Sequence, residues 1–238
     1  MKWRSLDESR PEAGVRSLRE IYAERKQLIA KYVPAEIQSI HSRVVEELRH
    51  SGIAARALGV GDQVQAFELP DHTANVVRSS DLVGSGRLII CFFRGRWCPF
   101  CVGQLEAMDQ QLRALKDWGA SLVGVSPQSV KHSFFMADQH RLRFPLLSDP
   151  ANQVARQFGL VYRVPEDQQQ IYRQTFVNLP AISGEPKWDL PIPATYVLEQ
   201  AAEGRSESHR IVYAFRNPDY TDRASPDEVI RFLREHLS

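Results

Sequence analysis

Cys98 and Cys101, separated by Pro99 and Phe100, are the residues of this chain best suited to chemistry. An unbroken apolar run at 88–93 precedes them and has the length of a buried strand. After Cys98, apolar residues recur every three or four positions, which is typical of a helix. Proline suits the first helical position, where its missing N–H would have no partner. The pattern therefore predicts two thiols at the start of a helix that follows a buried strand.

A thiol at a helix start is suited to redox chemistry. The unpaired N–H groups and the helix dipole favour an anion there, and the pKa of such thiols can fall from about 8.5 to about 3.5. Residues three apart lie on one helix face with Cα atoms about 5 Å apart, within the range of a disulfide. We therefore predict that Cys98 is the attacking thiolate and Cys101 the resolving thiol. Arg94 and Arg96 would add positive potential if they point toward the pair.

Two non-redox interpretations of the pair are also possible. A structural zinc site needs four ligands, but the sequence contains no second C-x-x-C and no H-x3-H pair. Two inert core cysteines would need neither the intervening proline nor a helix start. Cys91 lies within the apolar run and is interpreted as a small buried hydrophobic residue. We therefore favour a redox pair without metal or organic cofactor.

The composition excludes several classes of protein. Among 238 residues, 30 Lys and Arg nearly balance 29 Asp and Glu, so nothing indicates a nucleic-acid or anionic-membrane partner. The first residues lack the apolar core of a signal peptide, and no apolar run approaches the length of a membrane span. Three cysteines do not make a disulfide framework. We expect a cytoplasmic protein.

The N-terminal part of the chain differs from the rest. Residues 12–33 have the apolar periodicity of an amphipathic helix that Pro34 breaks, and a second such helix follows and stops near Ser51 and Gly52. Two helices alone bury little surface, so we expect them to pack on the main domain, on a second subunit, or both. The predicted organisation is a helical extension at 1–58, a domain at 59–238 and a homodimer.

From residue 61 onward the chain alternates strands with helices. A hairpin is predicted across 64–77, and further strands at 88–93, 121–126 and 191–198 are separated by helical segments. This alternation implies a sheet with parallel pairs. Residues 160–190 are hard to interpret; a helix at 165–177 and a Pro-, Gly- and Ser-rich loop could cover the site or form an interface.

Residues 211–215 have the pattern of a strand that returns antiparallel to 191–198. Ser225 and Glu228 have the spacing of a capping box, with Pro226 at the first helical position. The chain is therefore expected to end with a hairpin followed by an amphipathic helix.

Four segments resemble one known family. They are Phe-Glu-Leu-Pro-Asp-His at 67–72, Phe-Phe-Arg-Gly-Arg-Trp-Cys-Pro-Phe-Cys at 92–101, Phe-Pro-Leu-Leu-Ser-Asp at 144–149 and Pro-Ile-Pro-Ala-Thr-Tyr-Val at 191–197. Together they are similar to the peroxiredoxin-like branch of the thioredoxin fold, the alkyl hydroperoxide reductase/thiol-specific antioxidant family. The resemblance runs from about residue 61 to the C-terminus. It implies an α/β fold with three α/β/α layers and a mixed central sheet.

The family pattern also differs from this chain at the site. The resemblance puts Cys98 in the peroxidatic position, but Gly95 stands where the family has Thr or Ser, and Pro193 lies near the position of the family's Arg. Arg94 or Arg96 could substitute for these groups.

Cys101 replaces the residue, often Glu, that follows the family's Cys-Pro-x. The dithiol facing a proline is closer to thioredoxins, in which that proline is cis and helps bind an extended substrate. A cis Ile192–Pro193 bond is thus one possibility, and a trans proline at a strand start is the other.

The leading functional prediction is a thiol-dependent antioxidant peroxidase. Cys98 would become a sulfenic acid, Cys101 would condense with it, and thioredoxin or a glutathione-linked dithiol would reduce the resulting disulfide. Trp97, Phe100 and the proline segment would form an apolar rim for organic hydroperoxides or protein substrates. A protein dithiol–disulfide oxidoreductase and a non-catalytic interaction module are the alternatives.

Overall fold

The chain folds around a mixed six-stranded sheet. The computed structural model describes residues 17–84, 86–201 and 208–236. The strands are β1 (Gln63–Gln65), β2 (Glu68–Pro70), β3 (Val76–Arg78), β4 (Arg87–Phe92), β5 (Ala120–Ser126), β6 (Leu146–Ser148), β7 (Val161–Arg163), β8 (Asp189–Pro191), β9 (Ala194–Gln200) and β10 (Ser208–Arg216). The sheet has the order β1-β10-β9-β4-β5-β6; β5 is parallel to β4 and β6, and the other neighbours are antiparallel. Two small pairs, β2–β3 and β7–β8, lie beside it.

Helices cover both faces of this sheet. They are α1 (Leu18–Tyr32), α2 (Ala35–His50), α3 (Ile53–Arg56), α4 (Ser79–Gly84), α5 (Pro99–Gln110), α6 (Leu112–Asp117), α7 (Val130–His140), α8 (Gln153–Gln157), α9 (Glu166–Gln174), α10 (Leu179–Ser183) and α11 (Pro226–Glu235). None of the helices in the described part of the chain is long and apolar enough to cross a membrane.

Strand β4 explains the three layers. Its side chains alternate between faces: Ile89 and Cys91 contribute to the core under α1, α5, α7 and α11, whereas Leu88, Ile90 and Phe92 contribute to the core under α3, α4 and α8. A strand buried on both faces is apolar at every position rather than at alternate ones, as the sequence of this run shows. The predicted α/β/α fold with a mixed central sheet is confirmed.

Several predicted elements differ in detail. The helix that follows Cys98 is interrupted at Gln111, so α5 and α6 are separate. The predicted hairpin is formed by β2 and β3, while β1 pairs with β10. The region 160–190 contains α10 and the β7–β8 pair besides the predicted helix, α9.

The N-terminal helices lie over the start of α5. Ser17 caps α1 within a capping box, and residues 12–16 of the predicted first helix are outside the described residues. Tyr22 packs edge-on against Phe100, with 5.1 Å between ring centroids, and its hydroxyl donates to the Phe100 carbonyl at 2.5 Å. Arg25 donates to the Pro99 carbonyl, and Arg43 of α2 pairs with Asp167 of α9. The extension therefore packs on the main domain at the predicted redox site.

Candidate active site

Strand β4 and a short turn deliver Cys98 to the start of α5. The Phe93 N–H still donates to Val125 of the neighbouring strand at 2.9 Å, and the Cys98 N–H closes the turn on the Gly95 carbonyl at 3.1 Å. Cys98 is the N-cap in an extended conformation and Pro99 is the first helical residue, as predicted. The Cys98 side chain makes no capping hydrogen bond to the helix. The start of α5 thus fixes the position of the Cys98 backbone, but the helix N–H groups do not donate a hydrogen bond to the Cys98 sulfur.

The two thiols differ in their access to the surface. Both are almost fully buried, with 1% of Cys98 and none of Cys101 exposed. A cavity of about 750 Å³ between the N-terminal helices, α9 and the start of α5 is lined by Cys98, Pro99, Phe100 and Trp97, but Cys101 does not line it. A reactant in this cavity would therefore meet Cys98 first.

Arg223 lies against both sulfurs. Its Nη2 is 3.1 Å from Cys101 Sγ and 4.0 Å from Cys98 Sγ, and the residue is 5% exposed. Its Nε donates to the Tyr220 carbonyl at 3.0 Å and its Nη1 to Gln104 Oε1 at 3.4 Å. These contacts hold the guanidinium between the pair and the start of α11.

Gln104 connects Arg223 to the sheet. Its Nε2 donates to Thr195 Oγ1 and to the Ala224 carbonyl, both at 3.1 Å. It lies on α5 one turn after Cys101, so its side chain is on the same helix face. Neither Gln104 nor Arg223 was among the predicted site residues. Arg223 belongs to no motif; its position just before the capping box of α11 was the only available signal.

The pKa values of the two thiols shift in opposite directions. Burial raises the pKa of both, since a thiolate loses its hydration there. For Cys101, the hydrogen bond from Cys98 and the charge of Arg223 outweigh burial and hold the pKa well below its ordinary value. For Cys98, burial and the same hydrogen bond raise the pKa well above its ordinary value. The helix-start argument predicts the first thiolate on Cys98; in this conformation the thiol with the lowered pKa is Cys101, the sulfur closer to Arg223.

Arg94 is a second buried cation beside the pair. It is 3% exposed and lies between the rings of Trp97 and Tyr220, at 4.6 and 4.3 Å from their centroids. Its Nη2 donates to the Tyr172 hydroxyl, and its backbone N–H donates to Cys101 Sγ at 3.4 Å. Its Nε has no acceptor among the described residues, although it is buried. Arg94 lines the cavity together with Cys98.

Arg96 is placed differently. Its side chain is exposed, its Nε contacts His132 Nδ1 at 3.3 Å, and it does not line the Cys98 cavity. Of the two arginines considered from the sequence, the structure thus brings only Arg94 to the thiols.

The backbone conformation at Gly95 and the neighbouring Trp97 explain why this position does not carry the Thr or Ser of the family pattern. Its φ of +145° disfavours residues with a side chain, and an added Cβ would lie 2.6 Å from Trp97 Nε1. The space that a Thr or Ser side chain would need is therefore occupied by the Trp97 indole, which stacks on Arg94.

Ile192 and Pro193 are not at the cavity. Ile192 is fully buried in the core on the opposite sheet face, and its N–H donates to the Leu160 carbonyl at 2.9 Å. Neither residue lines the Cys98 cavity. The described part of the chain has no cis peptide, so the Ile192–Pro193 bond is trans, the second of the two possibilities considered above.

Cys91 is a buried core residue, as interpreted from the sequence. It is fully buried, and burial is the largest cause that raises its pKa to about 12. A thiol with this pKa stays protonated at neutral pH and is a poor nucleophile.

The fold and the site define a thioredoxin-fold thiol oxidoreductase. A family model described as the AhpC/TSA family matches residues 60–201. The chain therefore belongs to the AhpC/TSA family.

Similar proteins agree with this assignment. A putative peroxiredoxin of Mycobacterium tuberculosis is 32% identical over 117 residues, which are 49% of this chain and 76% of that protein. Peroxiredoxin Bcp of Escherichia coli K12 is 31% identical over 103 residues, 43% of this chain and 65% of that protein. Family membership and these relatives identify the class as thiol-dependent peroxidases, as predicted, and do not favour the disulfide-exchange and non-catalytic alternatives.

Solved structures share the fold. Peroxidoxin BcpB of Mycobacterium tuberculosis has a TM-score of 0.58 at 23% identity and covers 76% of this chain and 99% of its own. A PrxQ mutant of Xylella fastidiosa has a TM-score of 0.57 at 18% identity and covers 76% and 98%. At these identities the likeness concerns the fold alone.

Replacing Arg223 should shift the titration of the dithiol. In Arg223→Gln we expect the lowered thiol pKa to rise by at least about one unit, because a hydrogen bond to a charged group contributes about 1.5–3 kcal/mol. The thiolate would then be lost at a higher pH as the solution is acidified. Ultraviolet absorbance of the thiolate, and the rate of alkylation by iodoacetamide as a function of pH, measure this shift.

Arg210→Gln is the matched control, since Arg210 is a surface residue paired with Glu199. An unchanged titration in Arg223→Gln would show that Arg223 does not stabilise the thiolate.

Proposed function

We propose that this protein reduces peroxides with Cys98 as the attacking thiol and Cys101 as the resolving thiol. The observation that carries the proposal is the arrangement of the pair: Cys98 lines the cavity, while Cys101 lies behind it against Arg223. The two roles need this asymmetry, because the peroxide must reach one sulfur and the second sulfur must reach the first.

The charge on Cys101 prepares Cys98 for attack. Cys98 donates a hydrogen bond to the Cys101 thiolate, so transfer of that shared proton leaves the thiolate on Cys98. Arg223 contacts both sulfurs and stabilises the anion in either position. Cys101 thereby serves as the base that deprotonates Cys98.

Oxidation then proceeds in two steps. The Cys98 thiolate forms a bond to one peroxide oxygen, the O–O bond breaks, and the leaving oxygen takes up the proton held by Cys101. The products are a Cys98 sulfenic acid, a Cys101 thiolate and an alcohol, or water from hydrogen peroxide. Cys101 next attacks the Cys98 sulfur, hydroxide leaves, and a Cys98–Cys101 disulfide forms. An external dithiol, from thioredoxin or a glutathione-linked system, returns two electrons and two protons by exchange.

Separate serine variants test the two roles. Cys98→Ser should abolish peroxide consumption, because no other described thiol lines the cavity. Cys101→Ser should consume about one equivalent of peroxide per chain and then stop, since its sulfenic acid cannot be resolved. Stopped-flow peroxide consumption and dimedone labelling followed by mass spectrometry measure both outcomes.

Cys91→Ser is the matched control and should turn over like the unmodified protein. Dimedone on Cys101 in the Cys98→Ser variant, together with retained peroxide consumption, would reverse the assignment.

We further propose that Arg94 replaces the hydroxyl and arginine of the family pattern. Arg94 lines the cavity with Cys98, and its buried Nε has no acceptor among the described residues; both observations support a role of this guanidinium in binding a peroxide oxygen. Preorganised donors near developing charge contribute rate factors of about 10²–10³ each. The exposed Arg96 offers no comparable contact.

The arginines provide a matched pair of variants. Arg94→Met should lower kcat/KM for hydrogen peroxide by about 10²-fold or more, by loss of a preorganised donor. Arg96→Met should remain within about threefold of the unmodified protein, as a surface change does. Peroxide-consumption kinetics measure both, and equal losses would refute a specific role for Arg94.

The cellular context and assembly are proposals of the same kind. We propose a cytoplasmic homodimer in which 1–58 is a helical extension of a domain at 59–238. The adjacent Phe134 and Phe135 on α7, 49% and 45% exposed, support an interface between copies. Sedimentation equilibrium should give twice the chain mass of 27.1 kDa, and fractionation should place the protein in the cytoplasm. A monomer at micromolar concentration would contradict the dimer.

A further inference from the structure

The N-terminal helix α1 forms hydrogen bonds to the backbone between the two cysteines. The Tyr22 hydroxyl donates to the Phe100 carbonyl at 2.5 Å, and Arg25 Nη1 donates to the Pro99 carbonyl. Pro99 and Phe100 are the two residues that separate the cysteines. Both carbonyls in this short segment are therefore held by side chains that belong to another helix.

These two contacts are additional to the hydrogen bonds of α5 itself. A carbonyl inside a helix accepts from the N–H group four residues later, and its oxygen has a second lone pair for another donor. The first N–H groups of a helix have no partner within it, and the Cys98 side chain does not cap those of α5. The contacts from α1 thus restrain a helix end that has no side-chain cap.

Tyr22 is held as a permanent donor. Its side chain is 7% exposed, and its ring packs edge-on against Phe100. Burial raises the pKa of the Tyr22 hydroxyl, so the group keeps the proton that it donates. Ring packing and the hydrogen bond therefore fix the same residue of the cysteine turn.

Gly103 of α5 provides the space that the Arg25 guanidinium occupies. Glycine inside a helix lowers its stability relative to alanine, so the buried Gly103 needs a physical reason. An added Cβ at this position would overlap Arg25 Nη1 and lie 3.1 Å from Arg25 Cζ. A larger residue at position 103 would therefore displace Arg25 from the Pro99 carbonyl.

Helix α1 does not belong to the part of the chain that matches the family model. The match covers residues 60–201, whereas α1 is Leu18–Tyr32. The contacts of Tyr22 and Arg25 with the cysteine turn thus join a segment outside the matched region to the centre of the site.

We propose that Tyr22 and Arg25 are positioning residues for the dithiol, because they fix the turn on which the two sulfurs face each other. The assignment rests on the proposed redox function of the pair and adds to it residues from outside the thioredoxin-like domain. Cys98 donates a hydrogen bond to Cys101, so the sulfurs are already adjacent before oxidation. Holding two reacting groups in this way raises their effective concentration. The restraint from α1 therefore favours closure of the disulfide.

Equilibration with dithiothreitol measures this restraint. The two protein thiols form an S–S bond and pass two electrons and two protons to oxidised dithiothreitol, whose own S–S bond breaks. Arg25→Met and Tyr22→Phe should each lower the equilibrium constant for protein disulfide formation at least about threefold, within the range that one hydrogen bond contributes. Alkylation of the remaining thiols and mass spectrometry give the constant. Arg19→Met, at an exposed position of the same helix, is the control and should leave it unchanged.

Gly103→Ala separates a positioning role from a general effect on stability. Alanine is the better helix former, yet its Cβ should displace Arg25 and lower the same equilibrium constant at least about threefold. In the Arg25→Met background the additional Gly103→Ala should have no further effect, because the contact is already lost. Gly84→Ala is the matched control, since an added Cβ there meets no atom within 4 Å.

Unchanged equilibrium constants in Arg25→Met, Tyr22→Phe and Gly103→Ala would overturn the positioning role, even with lowered melting temperatures, because α1 would then support only the fold. Absence of disulfide formation in the unmodified protein would overturn it as well. None of these measurements uses peroxide. Failure of the unmodified protein to consume peroxide would refute the proposed peroxidase function instead, and the equilibrium result would stand by itself.

Discussion

The site depends on the contact of one buried guanidinium, that of Arg223, with both sulfurs of the pair. A thiolate removed from water is unfavourable unless a cation and hydrogen bonds replace the lost hydration. Here a guanidinium at 3.1 Å from Cys101 and a backbone N–H at 3.4 Å supply that replacement. The same guanidinium is 4.0 Å from Cys98, so it would also lie near a thiolate on that sulfur. The hydrogen bonds of Arg223 with Gln104 and with the Tyr220 carbonyl hold the guanidinium in this position.

Much of the fold could be predicted from the sequence because its signals are local. The apolar run at β4 is buried on both faces, and the capping box at Ser225 and Glu228 starts α11 where its spacing indicated. The position of Cys98 follows from the strand before it and the proline after it. Such features need only neighbouring residues to be recognised.

The charge environment of the dithiol could not be predicted in this way. Arg223 is separated from Cys101 by 122 positions and reaches it only because the loop after β10 returns to the start of α5. The sequence argument considered the helix dipole and the neighbouring Arg94 and Arg96, and therefore assigned the first thiolate to Cys98. Once a guanidinium approaches the deeper sulfur more closely, this nearby charge outweighs the partial charge of a helix start. The trans bond before Pro193 and the pairing of β7 with β8 depend on tertiary packing in the same way.

The absence of the family's hydroxyl and the presence of a buried Arg94 are linked. Gly95 permits the backbone turn that brings Trp97 over the Arg94 guanidinium, and a side chain at Gly95 would displace that indole. Arg94 and Arg223 form no ion pair with a carboxylate in the described part of the chain, so two cations without a carboxylate partner lie beside the dithiol. Cation–π contacts with Trp97 and Tyr220 compensate part of the desolvation of Arg94. Because Arg94 also lines the cavity with Cys98, we propose that its guanidinium performs the electrostatic task of the missing family residues.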